Sequence, residues 1–97
     1  MNAAPVAISG ARVICYTAID DRQEPTGSCR HVVGGELMDA FAGLAIAQYP
    51  AEDAYYLLYC DADWNDITDT WHQSLDDAKE QAEAEYAGVS QTWITNI

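Results

Sequence analysis

The stretch CDADWNDITDTWH, residues 60 to 72, sets Asp61, Asp63 and Asn65 at alternate positions. An EF-hand loop presents its first oxygen ligands to calcium with that spacing. The rest of the motif departs. Counted from Asp61, position 6 is Asp66 where the loop needs Gly, and position 12 is His72 where it needs a bidentate Glu. The flanks read as strands, not helices. Asp and Asn accept local backbone hydrogen bonds and tolerate turn dihedrals, so the stretch is read as a polar hairpin turn, with a small metal-responsive site at Asp61–Asp66 as an alternative.

Other residue types that do chemistry are scattered. Cys15, Cys29, Cys60, His31 and His72 contain no C-x-x-C pair, and a zinc site would need the fold to gather them from distant places. Cys15 and Cys60 lie in apolar runs and read as small core residues. Asp69 and His72 are three apart in a strand and face opposite ways. Glu83 and Glu85 lie on different faces of a helix. No nucleophile, base or carboxylate pair is set up by spacing, so no catalytic residue, cofactor or enzymatic activity is expected.

The elements that position these residues follow from patterning. ARVICYTAID is an apolar run rich in branched and aromatic residues and predicts a strand buried on both faces. DRQEPTGSC is turn chemistry, and RHVV is the expected returning strand. ELMDAFAGLAIAQYP carries Leu37, Phe41, Leu44 and Gln48 at helical spacing and predicts a first helix that ends before Pro50. AYYLLYCD and ITDTWH predict two more strands around the Asp-rich turn. SLDDAKEQAEAEYAG predicts a second helix, with Ser74 as N-cap, Asp76 and Asp77 at its positive end and Leu75, Ala78, Ala82 and Tyr86 on one face. QTWITNI predicts a final strand. The expected fold is α+β: one domain over 1–97 with residues 1–10 loose, in the order ββαββαβ. Two helices cover one face of a single antiparallel or mixed sheet, and a hairpin–helix unit is used twice. The other sheet face is left to solvent or a partner.

Charge is the strongest compositional fact. Sixteen acids face four bases in 97 residues, a net charge of −12. Residues 1–50 hold five acids and three arginines, and residues 51–97 hold eleven acids and only Lys79. Such a chain repels nucleic acid and anionic membrane and attracts basic protein surfaces. No apolar run approaches the roughly 18 residues that span a bilayer. The opening MNAAPVAISGARV shows no basic leader, so a cytoplasmic protein with reduced thiols is expected.

The candidate partner-binding residues are the turn acids Asp61, Asp63 and Asp66, the helix acids Asp76, Asp77, Glu80 and Glu83, and Trp64 at the hairpin tip. Trp is an interface hot-spot residue. The blander alternative is a solvated acidic face with Trp64 folded back as a lid; Trp71 and Trp93, alternating with polar residues, are expected in the core.

Residues 55–93, YYLLYCDADWNDITDTWHQSLDDAKEQAEAEYAGVSQTW, resemble the body of small stand-alone bacterial proteins to which no activity is attached. In size, charge and lack of catalytic motif the chain also resembles small acidic inhibitors of bacteria and phages: immunity proteins, anti-CRISPR proteins and DNA mimics. That likeness implies a non-enzymatic module docking on a basic protein, for instance one that itself binds nucleic acid. A self-associating structural domain, a homodimer, is the alternative.

Overall fold

The computed structural model describes residues 1–38 and 40–96. Asp39 of the expected first helix and Ile97 of the expected last strand lie outside them. In chain order the elements are β1 (Ala7–Ile8), β2 (Ala11–Ala18), β3 (Glu24–Pro25), β4 (His31–Val33), β5 (Glu36–Met38), β6 (Gly43–Gln48), β7 (Tyr55–Cys60), β8 (Asp66–His72), α1 (Leu75–Glu85), β9 (Tyr86–Ala87) and β10 (Ile94–Thr95). A short 3-10 turn, Val89–Gln91, precedes β10.

The fold is mostly β, with one α-helix and a curled antiparallel sheet in the order β1-β2-β6-β7-β8, β10 joining the outer edge of β2 beyond β1. After β8 at one edge the chain enters α1, which packs on the sheet and delivers β10 to the other edge. Strands β4 and β5 form a separate hairpin around Gly34–Gly35, both at positive φ as a two-residue turn requires.

This corrects the expected order ββαββαβ with two helices. Of residues 36–50, expected as the first helix, Glu36–Met38 form β5 and Gly43–Gln48 the central strand β6, so the hairpin–helix unit is not repeated. The physical reason is visible in GLAIAQ. Leu44 and Ile46 face α1, while Ala45 and Ala47 face the opposite layer, and all four are fully buried. A strand buried on both faces is apolar throughout, and over so short a run its pattern also satisfies helical spacing. The strand after the first turn, RHVV, pairs with β5 instead of returning along β2.

Alternation splits the sheet's residues between two cores, and a bulge in β2 and one in β8 switch the faces partway along those strands. Val13 pairs with Ala47 but Cys15 with Ile46, so Ile14 is an extra residue in β2; Cys60 pairs with Asp66 but Tyr59 with Thr68, so Ile67 is extra in β8. An extra residue reverses which face the following side chains take. Cys15, Leu44, Ile46, Leu57 and Tyr59 therefore lie beneath Ala78 and Ala82 of α1, with Ile67 packed alongside. Val13, Ala45, Ala47, Leu58 and Cys60 face the other way, under Ala4, Ile8 and Trp64. The amino-terminal ten residues, expected loose, thus supply two buried side chains and β1. Among the described residues no helix is long and apolar enough to cross a membrane.

Candidate functional site

The eight residues read from the sequence as a partner surface do not form one patch. Trp64 is only 5% exposed: its indole N–H donates to the Asn2 carbonyl at 2.8 Å, and its ring stands edge-on to Tyr16 at 5.5 Å. It is the lid, not the anchor. Its backbone sits at φ 64°, a conformation that costs a bulky residue about 1–3 kcal/mol. Burying an aromatic of this size removes roughly 150–250 Å² from water, about 4–6 kcal/mol at 25 cal/mol per Å², so burial wins.

The turn acids hold the turn. Asp61 accepts from the N–H groups of Asp63 (2.9 Å) and Asn65 (3.0 Å) and from the Asn65 amide (3.1 Å), bonds that keep its pKa below the usual aspartate value. Asp66 accepts from the Ser9 hydroxyl at 2.7 Å. Glu83 accepts from the N–H groups of Gly88 (2.8 Å) and Ser90 (3.0 Å), which lower its pKa in the same way. Asp77 follows the N-cap Ser74, whose hydroxyl accepts its N–H at 3.0 Å. Asp63, Asp76 and Glu80 are exposed. The Asp-rich turn and the α1 N-terminus lie at opposite ends of β8, about 20 Å apart at the rise of a seven-residue strand.

Two other features emerge. The first is a pair of polar clusters on the helix side of the sheet. The His72 imidazole bridges Asp77 (Nδ1 to Oδ2, 2.8 Å) and Thr70 (Nε2 to Oγ1, 2.7 Å). The Tyr59 hydroxyl donates to Glu85 Oε1. Glu85 Oε2 lies 3.7 Å from His31 Nε2. The Tyr86 hydroxyl lies 3.5 Å from Cys29 Sγ, and donor atoms of Cys29, His31 and Glu85 all fall within 4.8 Å of one another. Burial, then the Glu85 carboxylate, raises the Tyr59 pKa well above an ordinary phenol; burial, then Cys29, does so for Tyr86. The hydroxyl–imidazole–carboxylate order Thr70–His72–Asp77 has the connectivity of a nucleophilic triad. Glu85 was legible: it sits at i+7 from Ala78 and i+3 from Ala82, so an acid occupies the apolar stripe of α1. The Cys29–x–His31 spacing puts both on one side of an extended segment. Their meeting with Glu85 depends on a long-range fold that no local pattern encodes.

The second feature lies on the opposite sheet face. Trp71, expected in the core, is 61% exposed. It pairs across strands with Tyr56, which stands edge-on to Tyr49 at 5.3 Å. Asp69 shares the Trp71 face, two residues along the same strand. Glu52 accepts from the Tyr56 hydroxyl at 3.3 Å. Desolvation, then the Glu52 charge, raises the Tyr56 pKa, with smaller contributions from Tyr49 and Asp69. Strand β8 is the sheet edge, with no strand on its outer side among the described residues. Tyr49, Tyr56 and Trp71 thus form an aromatic strip framed by carboxylates, where the covering layer of Ala4, Ile8 and Trp64 stops. A separate groove of about 430 Å³ opens beside Trp64, between Met1, Tyr16 and Ile94, and its Arg22 is tied to Asp20 at 2.9 Å. Comparison of the chain with protein-family models, with curated proteins and with solved structures finds no match in any of the three.

Proposed function

We propose that this chain is a non-enzymatic acidic protein-binding module, of inhibitor or immunity type, that docks on a basic protein surface through the Tyr49–Tyr56–Trp71 strip. The observation that carries the reading is Trp71: a large aromatic, 61% exposed on an edge strand, two residues from Asp69 and paired across strands with Tyr56, whose hydroxyl meets Glu52. Arginine and lysine suit such a frame. Their cationic heads stack on aromatic faces and pair with the flanking carboxylates. The net charge of −12 steers a basic partner toward the chain and opposes a second copy of itself. Proteins that bind nucleic acid carry the most concentrated positive surfaces and are the partner class this chemistry fits.

The test is capture on immobilised protein at low and high salt, with Trp71→Ala and Asp69→Lys beside the wild type. The proposal expects a basic protein held at low salt, released at high salt and lost by both variants. Retention of the same protein by both variants, or a dimer by light scattering that Trp71→Ala abolishes, would sink it; the second result would assign the strip to self-association.

A further inference from the structure

We infer that Cys29, His31 and Glu85 form a binding site for a divalent transition-metal ion of zinc type. The site is independent of the docking face, because it lies in the helix-side core and the strip lies on the other side of the sheet.

Three kinds of donor converge there: a sulfur, a ring nitrogen and a carboxylate, all within 4.8 Å of one another. In a tetrahedral zinc site, bonds of about 2.0–2.3 Å place such donors about 3.5 Å apart. Closure therefore needs side-chain shifts on the order of 1 Å, within the reach of rotamer adjustment. Sulfur and imidazole select a borderline-soft cation; calcium and magnesium take oxygen. The geometry is also incomplete without an ion. His31 Nε2 is sealed from solvent with no hydrogen-bond partner, and it faces Glu85 Oε2 at 3.7 Å, too long for a hydrogen bond. Its ring is gripped by Tyr59 at 4.2 Å and Phe41 at 5.7 Å, so it is aimed before any ion arrives.

Hydrogen bonds behind the ligands already hold them. Tyr59 donates to the Glu85 oxygen Oε1, leaving Oε2 on the side of His31. Outer hydrogen bonds of this kind orient ligands. The Tyr86 hydroxyl donates to the sulfur at 3.5 Å, a contact that would steady a bound thiolate, and water would take the fourth position. Binding converts the Cys29 thiol to a metal thiolate and releases one proton.

The site also has a mechanical consequence. Hairpin β4–β5 is a two-stranded sheet of its own, and such a hairpin is marginal alone. Cys29 and His31 open it, while Glu85 closes α1. An ion would clamp the hairpin to the helix end.

The probe is cobalt(II) added to the purified full chain, followed by zinc competition against a chromophoric chelator. The expected result is one ion per chain, a thiolate-to-cobalt charge-transfer band, and displacement by zinc. Cys29→Ser removes the band, and His31→Gln and Glu85→Gln each weaken zinc at least tenfold. Cys60→Ala, in the opposite core, keeps both. Circular dichroism of each variant separates loss of ligand from loss of fold. If Glu85→Gln does not fold, His31→Gln decides. Absence of the band at stoichiometric cobalt, or a band that survives Cys29→Ser, overturns the site. Neither result touches the docking proposal, which is read at Trp71.

Discussion

At Gly43 the contact with Trp64 leaves no room for one carbon. A Cβ built there would meet the Trp64 ring at 2.8 Å. Gly43→Ala is expected to destabilise by about 1–3 kcal/mol through overpacking, read by urea denaturation. An unchanged midpoint would mean that the indole does not sit on the strand. Charge at single residues gives a second expectation. Backbone N–H groups of Gly88 and Ser90 hold the Glu83 pKa down. A depressed folded-state pKa contributes stability that is present above the ordinary glutamate value and lost as pH falls through the folded one. Glu83→Gln should therefore be less stable than wild type at neutral pH, and the gap should close at the acid end of the carboxylate range. A gap independent of pH would assign the loss to packing. The thiols give a third. Burial pushes Cys60 up to about 12 and Cys15 to about 11, so labelling of these two by a disulfide reagent should follow global unfolding. Rapid labelling in native buffer would contradict their burial.

At the scale of elements, legibility followed from how local the cause was. The α1 helix was readable because its signals are local: Ser74 accepts from the Asp77 N–H, Asp76 and Asp77 fill the first turn, and Ala78 and Ala82 mark the buried stripe. Ser74→Ala should cost about 1 kcal/mol by thermal or urea unfolding, and no change would mean that the cap is redundant. Strands β2, β7 and β8 were equally plain in their branched and aromatic runs. Residues 36–50 were not, because the layer of Ala4, Ile8 and Trp64 that buries Ala45 and Ala47 comes from distant parts of the chain. The bulges at Ile14 and Ile67 were hidden for the same reason. The second accounts for the misplacement of Trp71: counted by simple alternation Ile67, Asp69 and Trp71 share a face, but the extra residue sends Ile67 to the helix-side core and leaves Asp69 and Trp71 on the face of Leu58 and Tyr56. The candidate surface was legible as charge and illegible as position. Asp61, Asp77 and Glu83 are engaged in local hydrogen bonds and Asp66 in one with the distant Ser9, and the exposed tryptophan is Trp71, not Trp64.

At the scale of the molecule, two facts combine: a net charge of −12 concentrated in the second half, and an aromatic strip left open where the second covering layer stops. In the proposed reading, charge would set the approach of a partner and the strip would give it a place to land. Long-range attraction between exposed charges fades beyond about 8 Å at physiological salt, so salt should slow association more than it alters the final contact. The most direct measurement is nuclear magnetic resonance mapping of an arginine-rich peptide titrated into the labelled chain. The account predicts that the Trp71 indole N–H and the amides of residues 49–56 and 69–72 move together, and that Trp71→Ala weakens binding about tenfold or more, in the range of an aromatic hot spot. Shifts spread evenly over the exposed acids Asp63, Asp76 and Glu80, with the Trp71 indole unmoved, would contradict it.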